Sequence, residues 1–112
     1  MSDCLFCKIA AGEIPSKKAY ADDRVYAFHD ISPKAPTHVL VIPRKHIAKL
    51  ADLTEADETL VGEVVARAAA IARDLKLPHF RLVANNGEGA GQTVFHLHFH
   101  LLGGRPMSWP PG

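Results

Sequence analysis

The sequence is poor in cysteine, with only Cys4 and Cys7 among 112 residues. Two thiols three positions apart make no disulfide framework, so a cytoplasmic protein is expected. An excess of one charge is missing as well: 13 Lys and Arg face 12 Asp and Glu, a net charge of +1. A protein dedicated to long DNA or RNA carries a basic stripe, and without one no nucleic-acid polymer is expected as a partner. Long hydrophobic runs are absent too. Arg67 and Arg73 break the only extended Ala/Val stretch well short of the roughly 18 residues that cross a bilayer, so no membrane partner is expected. The opening Met-Ser-Asp-Cys-Leu-Phe-Cys-Lys has no basic segment followed by an apolar one, and so predicts no signal peptide. Repeats, low-complexity tracts and linkers are lacking. Residues 1–112 therefore read as one domain that closes in a Gly- and Pro-rich tail, 103–112.

What is present suits a packed core: 47% of residues are hydrophobic and 22% charged. Residues 3–11 read as a short helix with Leu5, Phe6 and Ile9 on its buried side and Gly12 as its stop. Lys18–Ala21 and Val25–His29, joined at Asp22-Asp23, read as a hairpin. Residues 30–37 contain two prolines and read as a loop, followed by an apolar strand, His38–Ile42, that Pro43 closes. Thr54 has the character of an N-cap, with Glu55, Asp57 and Glu58 in the first turn. From there to Lys76, apolar residues at 60, 61, 64, 65, 68, 71, 72 and 75 predict one long amphipathic helix ended by Pro78. Phe80–Ala84 and Thr93–Leu102 read as strands flanking a glycine-rich loop, Asn85–Gln92. This order predicts an α+β fold with a mainly antiparallel sheet.

The most informative segment is Val94-Phe95-His96-Leu97-His98-Phe99-His100-Leu101-Leu102. Alternation on a strand would put Phe95, Leu97, Phe99 and Leu101 on one face and three histidines on the other, at intervals of about 6.7 Å. A solvated row of imidazoles is one reading. A metal site built from all three is another, but ligands so spaced on a straight strand cannot all come within about 2.1 Å of one ion. Nucleophilic or acid–base catalysis remains, because imidazole is largely neutral at neutral pH. The preceding loop, Asn85-Asn86-Gly87-Glu88-Gly89-Ala90-Gly91-Gln92-Thr93, offers glycine N–H groups, an amide and a hydroxyl to a phosphate. It is neither the dinucleotide fingerprint nor a phosphate loop with its lysine, and no redox or organic cofactor is expected. Cys4 and Cys7 have metal-ligand spacing, but alone they are half of a zinc site.

The run His96-Leu97-His98-Phe99-His100-Leu101-Leu102 resembles the histidine-triad (HIT) signature, in which three histidines alternate with apolar residues. The resemblance extends along nearly the whole chain. Asp30-Ile31-Ser32-Pro33-Lys34-Ala35-Pro36-Thr37-His38, Gly91-Gln92-Thr93-Val94 and the tail through Trp109-Pro110-Pro111-Gly112 are similar to the Hint branch, the purine nucleoside phosphoramidases. This resemblance implies a HIT-like fold: a five-stranded sheet, one long and one short helix, and a homodimer whose sheets join. It also implies binding of purine nucleoside monophosphates and hydrolysis of their phosphoramidates. His98 would be the nucleophile, its ring held by the His96 carbonyl, with His38 and His100 flanking the phosphate. Asp30 and Ile31 match positions that hold ribose and base. Asn85, Gly91, Gln92 and Thr93 match positions around the phosphate, Thr93 replacing the more usual Ser while keeping a hydroxyl for leaving-group protonation. Trp109 would reach the partner's nucleotide site.

Many bacterial HIT proteins are similar at Cys4 and Cys7 and carry structural zinc on that pair plus two histidines, which here match His46 and His96. His29 and His79 lack motif support. Two other functions stay open: a nucleotide-binding regulatory or scaffold protein, and a dinucleoside polyphosphate hydrolase, which the tail disfavours.

Overall fold

The computed structural model describes residues 3–112; Met1 and Ser2, where the sequence predicts no signal peptide, lie outside the described residues. In chain order the elements are helix α1 (Leu5–Ala10), strands β1 (Lys18–Ala21), β2 (Val25–His29) and β3 (Thr37–Pro43), helix α2 (Glu58–Asp74), and strands β4 (Phe80–Val83) and β5 (Phe99–Gly103). The strands form one five-stranded sheet in the order β1-β2-β3-β5-β4, and every neighbouring pair is antiparallel. The expected α+β architecture, one long helix and one short, is what the chain forms.

Local chemistry explains the joints. Asp22 closes the β1–β2 hairpin, its Oδ1 accepting the N–H groups of Arg24 at 2.8 Å and Val25 at 2.7 Å. Thr54 does not open α2 directly. Its N–H donates to the Asp57 carboxylate at 3.1 Å, a 3-10 turn covers Glu55–Asp57, and the α-helix begins at Glu58. It ends at Asp74, two residues before the expected Lys76, which adopts φ +58° as the chain reverses. The apolar stripe is also narrower than the pattern suggests, since Val65 and Leu75 are exposed.

Strand alternation gives each face of the sheet its own helix. Val25, Ala27, Val39, Val41 and Leu101 meet Val64, Ala68, Ile71 and Ala72 of α2 on one face. Tyr26, Phe28, Leu40 and Ile42 meet Phe6 and Ile9 of α1 on the other. Leu40 pairs with His100 and His38 with Leu102 in the β3–β5 register, so both histidines belong to the face that α1 covers.

The expected strand over Thr93–Leu102 is corrected: β5 starts only at Phe99, and residues 94–96 form a bend. Before Phe99 the backbone is bonded elsewhere, the Leu97 N–H donating to the Ile47 carbonyl at 2.6 Å. Phe95 consequently points outward, 44% exposed, while Leu97 and Leu101 keep their core places. Leu5, expected on the buried side of α1, is likewise exposed. Among the described residues no helix is long and apolar enough to cross a membrane.

Candidate active site

Three histidine rings from β3 and from the chain entering β5 lie together on the face that α1 covers. The rings of His98 and His100 lie 4.9 Å apart, and those of His38 and His100 5.2 Å apart. Their hydrogen bonds decide which nitrogen carries each proton. A carbonyl only accepts, so the 2.7 Å contact between His98 Nδ1 and the His96 carbonyl places a proton on Nδ1 and leaves the lone pair on Nε2. Lys34 N–H donates to His38 Nδ1 at 3.0 Å, so the His38 proton sits on Nε2 and is donated to His100 Nδ1 at 2.9 Å. His100 in turn keeps its own proton on Nε2. Side by side stand an unprotonated ring nitrogen on His98 and an N–H donor on His100.

Burial supports the neutral state of these rings. It pushes His98 and His38 below the ordinary imidazole value, against the raising effects of the His96 carbonyl on His98 and of Asp30 on both. His100 goes furthest, to about 4, through burial and then its neighbours His98 and His38. The unfolded chain therefore binds more protons than the folded one from the ordinary 6.5 down to about 4. Stability from the neutral ring is complete above that ordinary value and is lost as pH falls through about 4. We expect the melting temperature to drop by roughly 5 °C or more between about pH 7 and about pH 5, and His100→Gln to flatten that slope. A wild-type melting temperature constant over this interval contradicts the assignment.

The His98 and His100 side chains open on a cavity of about 450 Å³ that also meets Leu5, Phe6, Ile9, Phe28, Asp30 and Ile31. A second cavity of about 350 Å³ adjoins it, lined by Lys34, His38, Val83 and Asn85. Asp30, Thr93 and His100 line both. The larger space is mainly apolar, and the shared residues frame its polar junction with the smaller one.

The four sulfur and nitrogen donors matched to zinc also converge. Cys4 Sγ lies 3.3 Å from His96 Nδ1, Cys7 Sγ lies 3.5 Å from both His96 Nδ1 and His46 Nδ1, and the two Nδ1 atoms are 3.3 Å apart. A tetrahedral zinc with bonds of about 2.3 Å to sulfur and 2.0–2.1 Å to nitrogen sets its ligands roughly 3.5 Å apart for sulfur–nitrogen and 3.3 Å for nitrogen–nitrogen. The tautomer fits as well, because His96 Nε2–H donates to the Pro43 carbonyl at 2.8 Å and turns the Nδ1 lone pair toward the cluster. Asp30, His38 and His100 also place donor atoms within 4.8 Å of one another. There the proton on His38 Nε2 occupies the position a cation would need, and a hydrogen bond explains the contact.

Comparison with known proteins gives the family. The HIT domain matches residues 11–107. The chain belongs to the HIT family. It is 51% identical over 111 residues to a HIT-like protein of Synechocystis sp., covering 98% of this chain and 97% of that one. A solved HIT family hydrolase from Legionella pneumophila superposes with a TM-score of 0.96 at 50% identity, covering 98% and 100% of the two chains. A histidine triad nucleotide-binding protein from Candida albicans gives a TM-score of 0.81 at 35% identity, covering 96% and 83%.

Within this HIT chain not every anticipated residue reaches the cavity. Gln92 is fully buried, its carboxamide accepting from Gly87 N–H and donating to the carbonyls of Ala48 and Val94. It braces the glycine loop from inside. Gly91, at φ +98°, closes a 3-10 turn, and its N–H donates to the Glu88 carbonyl at 3.0 Å, so that amide is turned into the loop. Trp109 is 80% exposed, with the Arg81 guanidinium 5.7 Å from its ring centre, and it lines neither cavity. Sequence reasoning missed Phe6 as a cavity residue, His29 beside Asp30, and the two backbone groups, Lys34 N–H and Pro43 C=O, that fix tautomers. Only Phe6, an apolar residue between two cysteines, left a signal to follow.

Proposed function

We propose that this HIT protein is a hydrolase of purine nucleoside phosphoramidates that works through a nucleotidyl-histidine on His98. The observation that carries the reading is the His98 Nδ1–H bond to the His96 carbonyl, which leaves Nε2 unprotonated on a ring that lines the larger cavity. Nε2 attacks phosphorus, the P–N bond breaks, and the amine departs with a proton passed to it through the Thr93 hydroxyl, which recovers a proton from the water that attacks in the second step, while the His100 N–H donates a hydrogen bond to the phosphate. The ring of the nucleotidyl-histidine is then cationic, and its Nδ1–H keeps the carbonyl bond while water attacks. Nucleoside monophosphate leaves and His98 returns neutral. Two displacements replace one difficult hydrolysis. Asp30 and Ile31 would hold the nucleoside, and Asn85 and His38 would steady the phosphate side, His38 through its bond to His100. Incubation with an adenosine phosphoramidate should release AMP and amine; tight AMP binding without turnover would favour a regulatory protein instead.

Zinc is the metal that the Cys4/Cys7/His46/His96 donor set fits best, and a closed four-ligand site would make it structural.

The protein would act as a homodimer. β4 is an edge strand with Phe80 exposed, a surface through which two sheets can join. Trp109 would then lie near the partner's leaving-group cavity. Deleting residues 105–112 should change relative kcat/KM among phosphoramidates of different amines, with AMP affinity changed much less. Equal losses on every substrate and on AMP would show a purely structural tail.

A further inference from the structure

Besides His100, the His98 ring packs against a side chain of α1 that lies between the two cysteines. The Phe6 and His98 rings meet in a T-shaped contact, with centres 5.0 Å apart and planes at 81°, and Phe6 meets Phe28 in the same way at 5.3 Å. Phe6 and His98 are both buried. A helix of six residues does not hold itself in place, so tertiary contacts must fix where Phe6 stands. Cys4 and Cys7 flank it and converge on His46 and His96. His96 meets His98 by a second route, since its carbonyl takes the Nδ1–H while its ring belongs to the cluster. Leu5 and Ile9 of the same helix line the larger cavity.

We infer that Phe6 is a positioning residue for His98, and that the Cys4/Cys7/His46/His96 cluster holds it there, so that the metal site and nucleotide binding are coupled. The inference rests on the zinc and nucleotide readings above. The hydrogen bond to His96 fixes one atom of the His98 ring, and the Phe6 ring packed against it limits rotation about that bond. A shift of α1 would move that ring and the wall of the nucleoside cavity together. By linkage, whatever the bound metal does to AMP affinity, AMP does equally to metal affinity.

Cobalt(II) replaces zinc in such sites and reports their geometry in visible absorption. Cobalt-loaded wild-type protein, titrated with AMP, should show band changes that saturate at the calorimetric Kd for AMP. In Phe6→Leu, carrying one cobalt per chain and still binding AMP, those changes should largely vanish. Single-turnover P–N cleavage at saturating substrate should slow by on the order of tenfold to a hundredfold in this variant, with AMP affinity affected less. If Phe6→Leu fails to load metal, Phe6→Met takes its place, keeping bulk without a ring edge. A silent cobalt spectrum while calorimetry shows AMP bound overturns the inference alone, as does a variant that behaves as wild type. Absence of AMP binding to the wild-type protein would instead remove the nucleotide reading on which the inference stands.

Discussion

Turnover of adenosine phosphoramidate by His98→Ala is expected to fall by on the order of a thousandfold or more, while AMP still binds. The effect is large because the proposed reaction is routed through one atom. The His98 Nε2 lone pair exists by virtue of the 2.7 Å bond that holds the proton on Nδ1, and no other histidine at the junction has that arrangement. His100 could not take over, since its proton faces the cavity and its lone pair is engaged by His38. His98→Gly should regain part of the activity when imidazole is added, the small ring entering the space left behind. Near-normal hydrolysis by His98→Ala would remove this residue as nucleophile. The melting temperature of each variant separates loss of chemistry from loss of fold.

The second large effect concerns the metal. Protein purified without chelator should contain about one zinc per chain, and stripping it should lower the melting temperature by on the order of 10 °C or more. The cluster joins α1 to the bend before β5 and to the segment after β3, three elements distant in sequence. Cys7→Ser should reproduce most of the loss. Metal-free protein whose thiols react readily and whose melting is unchanged by added zinc would show that the cluster binds no structural ion.

How much of this was legible in the residues depends on what each element obeys. The α2 face was readable because Leu60, Val64, Ala68, Ile71 and Ala72 repeat at helical spacing and are all buried. The hairpin was readable through Asp22-Asp23, whose first carboxylate closes the turn. The strand through the histidines was readable only in its second half. Alternation continues from Phe95 to Leu101 in the sequence, but residues 92–97 bond to Ile47 and Ala48, contacts that no local pattern encodes. The His98 and His100 rings lean together to 4.9 Å, closer than the roughly 6.7 Å backbone spacing of alternate residues on a strand. The metal donors came from spacing for the cysteines and from resemblance for His46 and His96. The His96 carbonyl's hold on the His98 ring came from resemblance, but the tautomers of His38 and His96 were out of reach, since they are set by backbone groups of Lys34 and Pro43, whose orientation follows from the fold.

The central claim is tested most directly by mass spectrometry of the protein quenched early in reaction with an adenosine phosphoramidate. One adenylyl group should be found on His98, decaying to unmodified protein as AMP appears. Release of AMP at full rate with no adduct at any time, or with the adduct on another residue, would contradict it.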